Sequence, residues 1–249
     1  MYRLHENFSP NRSESKEREY KIFTEPQERR EIFDFSKGVA EYLRSEKVPN
    51  LVVIDRSSRP LYIGVRDYLK SKYPDEPMPN IYFMNPKGFK AKEEMSPEEI
   101  NNIIDDCRWK SDLAEAAQQI KSREDILKDV EGSYKKLMAD KDKPLLVFDT
   151  CIHSGKSIAP VKKVLDQVGF SDIRIGSVNP SDDGAAVKSD FYITKRQPEK
   201  NCYPFGDDRI IEKTFSHVYS KRSDDPYYRE KSLELREEIK NIIKDFLAK

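Results

Sequence analysis

The residues most able to do chemistry lie in LLVFDTCIHSGKSI, positions 145–158. An apolar run ends in an acid, Asp149, and a short loop then leads through Ser154-Gly155-Lys156-Ser157 into a helical pattern. A helix that begins there presents free backbone N–H groups and partial positive charge, a setting that suits a phosphate. Gly155 lets the backbone approach a ligand closely and can take positive φ. Ser154 and Ser157 supply hydroxyl donors and Lys156 a cation. The same residues also read as a helix start with two serines competing for the cap. The order strand, acid, loop, helix favours the phosphate site.

A second stretch, LVVIDRSSRPLYIGV at 51–65, has the same outline. A β-branched run ends in Asp55, and the turn Arg56-Ser57-Ser58-Arg59 precedes Pro60 at the start of a helix. Guanidinium groups grip phosphate oxygens two at a time, so Arg56 and Arg59 with the hydroxyls of Ser57 and Ser58 form a candidate diphosphate cradle. An ordinary polar turn is the competing reading. The Gly-Lys-Ser at 155–157 also invites a Walker A assignment, but that motif needs glycine where Thr150 stands.

The elements that must position these turns follow from periodicity. Ile32, Phe33, Phe35, Val39, Tyr42 and Leu43 predict a helix over 27–45. LVVID (51–55), NIYFMN (80–85), PLLVFD (144–149), DIRIGSV (172–178) and DFYIT (190–194) read as strands. A helix follows Ser157 and stops near Gly169. Another, over about 226–248, carries the stripe Leu235, Ile239, Ile242, Ile243. Between 91 and 142 the pattern predicts two or three inserted helices in dense charge, with Ser96 as N-cap and Pro97 at the first helical position. This insertion reads as a solvated excursion, with a lid or an oligomer contact as alternatives. The alternation makes the chain α/β: a mostly parallel, twisted sheet with helices on both faces. The organisation is a polar arm at 1–26 and one domain at 27–249. Ligands of such sheets bind beyond the carboxyl ends of the strands, here after Asp55 and Asp149.

Composition narrows the function classes. Of 249 residues, 45 are Lys or Arg and 45 are Asp or Glu, so no net charge draws the chain onto nucleic acid or anionic lipid. The three cysteines (Cys107, Cys151, Cys202) are far apart and, with His5, His153 and His217, are not spaced for zinc. Reduced thiols point to the cytoplasm. No stretch has the roughly 18–20 apolar residues of a membrane span, and the N-terminus lacks the apolar core of a signal peptide.

The stretch at 145–158 resembles the PRPP (phosphoribosyl pyrophosphate) motif of the type I phosphoribosyltransferases. That motif is a hydrophobic strand, two acids, two mostly apolar residues, a variable position, then Thr-Gly-x-Thr/Ser. Asp149 stands at the first acid, Thr150 at the second, Cys151 and Ile152 at the apolar pair and His153 at the variable position. Ser154-Gly155-Lys156-Ser157 is the phosphate turn. The loop at 56–60 occupies the place of the family's diphosphate loop. The resemblance covers roughly residues 45–200, without the insertion.

What the resemblance implies is a phosphoribosyltransferase-like fold and magnesium-dependent transfer of phosphoribosyl from PRPP to a nitrogenous base. Asp149 and Thr150 would meet the ribose, with Asp149 also an indirect partner of Mg2+. Residues 154–157 would hold the 5′-phosphate. Arg56, Ser57, Ser58 and Arg59 would hold the diphosphate, and His153 would take a proton from the acceptor. Tyr203 and Phe205 are the candidates for stacking on the base; Tyr192 belongs to a strand. Lys87 and Lys90 fall where the family's flexible loop begins, and exposed helices leave room for a homodimer. Thr150 departs from the pattern, since one acceptor and one negative charge are missing. A catalytically inactive domain that binds PRPP or a nucleotide is therefore the alternative.

Overall fold

The computed structural model describes residues 18–54, 58–109, 120–152, 155–179, 188–193 and 226–249. Five strands form one sheet: β1 (Asn50–Ile54), β2 (Asn80–Met84), β3 (Leu145–Cys151), β4 (Ile173–Asn179) and β5 (Phe191–Tyr192). Their order is β2-β1-β3-β4-β5, and every neighbouring pair is parallel. The α/β class expected from the sequence is what the chain adopts, and it is compatible with a phosphoribosyltransferase-like architecture. Each residue of β1 is buried, as a strand covered on both faces requires. The strand near residue 190 is shorter than DFYIT suggests and comprises Phe191–Tyr192.

Seven α-helices accompany the strands among the described residues: α1 (Pro26–Ser45), α2 (Arg59–Lys72), α3 (Pro97–Trp109), α4 (Arg123–Ser133), α5 (Lys135–Met138), α6 (Ile158–Gln167) and α7 (Pro226–Leu247). The period-two alternation of the strands divides the core. Leu51, Val53, Leu146 and Phe148 pack with Ile32 and Val39 of α1, Leu61 of α2, and Ile239 and Ile243 of α7. Val52, Ile54, Leu145 and Val147 face the other way, onto Ile126 of α4, Leu137 of α5, and Val161 and Leu165 of α6.

The inserted helices correct one expectation. The capping box is present: Ser96 Oγ accepts the Glu99 N–H at 3.1 Å, and Glu99 Oε2 accepts the Ser96 N–H at 2.8 Å. Yet the segment is more than a solvated excursion, because Ile126, Val130 and Leu137 are buried in the core. Topology supplies the reason. The chain must pass from edge strand β2 over β1 to reach β3, and this crossover covers the sheet face that α2 leaves open. Glu94 fastens it, pairing with Lys163 of α6 and, at 2.6 Å, with Arg123 of α4.

The segment before α1 is fastened too. The Glu238 carboxylate of α7 accepts the backbone N–H groups of Lys21, Ile22 and Phe23 at 2.7–3.1 Å. Three donors satisfy a carboxylate that is only 8% exposed. On the same side α1 and α2 approach closely, with Gly64 against Ser36. Among the described residues no helix is long and apolar enough to cross a membrane.

Candidate functional site

A parallel sheet sends all strand C-termini to one edge, and the order 2-1-3-4-5 makes that edge informative. The crossover from β1 goes outward to β2, whereas β3 lies on the other side of β1. The connections therefore diverge between β1 and β3, the place where ligands of open parallel sheets bind. The turn after Ile54 and the loop after Cys151 both leave from there. The two stretches singled out in the sequence thus occupy neighbouring strand ends.

They are also bonded to each other. Ser58, at the mouth of α2, is 1% exposed, and its hydroxyl donates to Asp149 Oδ1 at 3.1 Å. The same oxygen, Ser58 Oγ, accepts the Thr150 N–H at 3.0 Å. That N–H lies 2.8 Å from Asp149 Oδ1 as well. Asp149 is 5% and Thr150 2% exposed, so the strand-end acid is held inside the protein. Asp149 is in register with Ser177 of β4, whose hydroxyl lies 2.8 Å from that of Ser189.

The turn before α6 has the backbone its glycine suggests. Gly155 has φ of 70°, a left-handed conformation that a side chain disfavours. Its carbonyl accepts the N–H groups of Ile158 and Ala159 at 3.1 and 2.9 Å, closing the first turn of α6. Ser157 is the N-cap residue, and its side chain makes no capping bond. Lys156 and Ser157 are exposed, while Gly155 is buried. A polar, cation-bearing surface at a helix N-terminus attracts anions.

Of the other residues read from the sequence, Arg59 opens α2. Arg56, Ser57, His153, Ser154, Tyr203 and Phe205 lie outside the described residues. Tyr192 stands in β5. Lys90 is paired at 2.5 Å with Glu99 of α3, which ties the start of the crossover to its first helix. Sequence reasoning missed the inward turn of Ser58 and the hydroxyl pair Ser177–Ser189. Nothing in a run of hydrophilic turn residues marks which one faces the interior.

A cavity of about 420 Å3 opens at the opposite edge, lined by Pro49 and Asn80, at the N-terminal ends of β1 and β2, and by Leu43, Tyr73 and Met78. Four of its charged residues pair with one another, Arg44 with Glu76 at 2.9 Å and Lys143 with Asp140 at 2.6 Å, and Lys47 lines it as well. Two helix C-termini, those of α1 and α2, end beside it and disfavour an anion. The residues singled out in the sequence for a phosphate lie at the other edge. No family model matches the chain, and no curated protein matches it.

Proposed function

We propose that this chain is a phosphoribosyltransferase-like protein, which transfers phosphoribosyl from PRPP to a nitrogenous base and releases diphosphate. One observation carries the reading. The acid near the end of β3 is hydrogen-bonded to Ser58 after β1, and a positive-φ glycine six residues further on stands at the start of α6. A ligand with phosphates at two ends and a sugar between them matches that arrangement. In this reading Gly155, Lys156 and Ser157, with Ser154, hold the 5′-phosphate. Asp149 orients the ribose, and Arg56 and Arg59 receive the diphosphate.

The chemical task is to favour positive charge growing on the ribose ring and negative charge on the departing diphosphate. Fixed cations and N–H dipoles in a protected crevice do this without reorganising. The anchored 5′-phosphate contributes by fixing geometry at a distance from the reacting carbon. Magnesium would be held mainly by the oxygens of the ligand. Asp149 Oδ1 already accepts two donors, so the acid offers a cation at most one oxygen. His153 would accept the proton of the attacking nitrogen, and Tyr203 and Phe205 would stack on the base. The separated cysteines fit a reducing cytoplasm.

Calorimetry of the full chain with PRPP and magnesium tests the reading, followed by product analysis with a panel of bases. Absence of heat at millimolar PRPP would discard it. A second reading has its own support: Thr150 replaces an acid, and its residue is 2% exposed. A domain that binds PRPP or a nucleotide to regulate a partner gives heat with PRPP and no product with any base.

A further inference from the structure

We infer that Ser58 is not a ligand contact but the positioning residue of Asp149. The inference rests on the ribose-phosphate reading given above. Ser58 Oγ lies 3.1 Å from Asp149 Oδ1 and 3.0 Å from the Thr150 nitrogen. With the residue 1% exposed, its hydroxyl is spent inside the protein, on the strand end. A hydroxyl has one proton and lone pairs to spare. Giving the proton to the carboxylate commits its one donor, and accepting the neighbouring N–H as well sets its orientation.

Two consequences follow for the ligand. Asp149 Oδ1 receives the Ser58 hydroxyl and the Thr150 N–H, the latter at 2.8 Å, so it has no capacity for a sugar hydroxyl. At most one carboxylate oxygen meets the ribose, and recognition of its hydroxyls is correspondingly narrow. Secondly, the bond spans 91 positions of sequence and joins the turn meant for the diphosphate to the acid meant for the sugar. A shift of one turn displaces the other.

The test compares two probes. Ribose 5-phosphate needs both the phosphate turn and Asp149, whereas inorganic phosphate needs the turn alone. Titration calorimetry is run on the full chain with Ser58→Ala, Asp149→Ala and the double variant. Ser58→Ala is expected to weaken ribose 5-phosphate about tenfold, the scale of one hydrogen bond to a charged group. Inorganic phosphate should bind as before. In the Asp149→Ala background, Ser58→Ala should cause no further loss, since nothing is left to position.

Equal losses for both probes, no loss, or losses that add in the double variant would overturn the inference. Ser58→Cys, close in size but a weak donor, repeats the comparison should the alanine variant fail to fold; melting curves establish which variants are folded. If the unaltered chain binds phosphate but not ribose 5-phosphate, the ribose-phosphate reading itself falls. If it binds both and Ser58→Ala changes neither, only the role of Ser58 falls.

Discussion

Gly64 of α2 lies so close to Ser36 of α1 that a Cβ at position 64 would stand 2.0 Å from Ser36 Oγ and 3.0 Å from its Cβ. Rotation of the hydroxyl relieves the first contact but not the second. Gly64→Ala therefore forces the two helices apart and should destabilise by about 1–3 kcal/mol, read from denaturant melts. Ser36→Ala should go the other way. Its buried hydroxyl has no hydrogen-bond partner, so removing it is expected to be neutral or to stabilise by about 1 kcal/mol.

Glu238→Ala would leave the N–H groups of Lys21, Ile22 and Phe23 without their shared acceptor. The predicted loss is about 2–4 kcal/mol, the scale of several buried donors left unsatisfied. Hydrogen exchange gives the sharper check. Those three amides should lose protection first, while amides of β1 and β3 keep theirs. Uniform loss of protection would mean that the segment is not held by this carboxylate.

The Glu94 clamp makes stability depend on acid. The Lys163 ammonium beside Glu94, and then the Arg123 guanidinium, lower its carboxyl from an ordinary value of 4.5 to about 2, against the opposing effect of burial. A group whose folded value is depressed binds fewer protons when folded. Its stabilisation is therefore present above 4.5 and is lost as pH falls towards 2. Glu94→Gln should be less stable than the parent at neutral pH, with the difference closing across that window. A gap that stays constant from pH 7 to pH 2 would contradict the ion pairs.

Gly155→Ala places a Cβ on a residue with φ of 70°, a strain of about 1–2 kcal/mol. Under the proposed function, PRPP affinity should fall at least tenfold, and Lys156→Ala should weaken PRPP further than it weakens a neutral nucleoside. ATP binding that vanishes in Lys156→Ala, with no response to PRPP, would point to nucleotide hydrolysis instead.

Much of the scaffold was legible because it is local. The apolar runs at 51–54 and 145–148, the Ser96 capping box and the helix stop at Gly169, with φ of 99°, each announce themselves within a few residues. The positive φ of Gly155 was foreseeable for the same reason. The strand order was not. That β1 and β3 are neighbours depends on pairing across the whole crossover, and periodicity carries no such information. The inward turn of Ser58 was hidden likewise, because every residue of Arg56–Arg59 is hydrophilic and only the packed strand end decides which is enclosed. The burial of α4 and α5 was obscured by their charge: one apolar stripe suffices to seal a sheet face.

The crossover has a temporal meaning as well. The acid and the serine that meet at the ends of β1 and β3 are 91 positions apart, and the whole crossover lies between them. Loop closure of that length makes the pairing of β3 with β1 slow. During synthesis the amino-terminal half emerges with its arginine-bearing turn but no partner for it. Under the proposed function, recognition of a sugar phosphate therefore requires β3 in place, and a chain cut short before Leu145 lacks both Asp149 and the turn at Gly155.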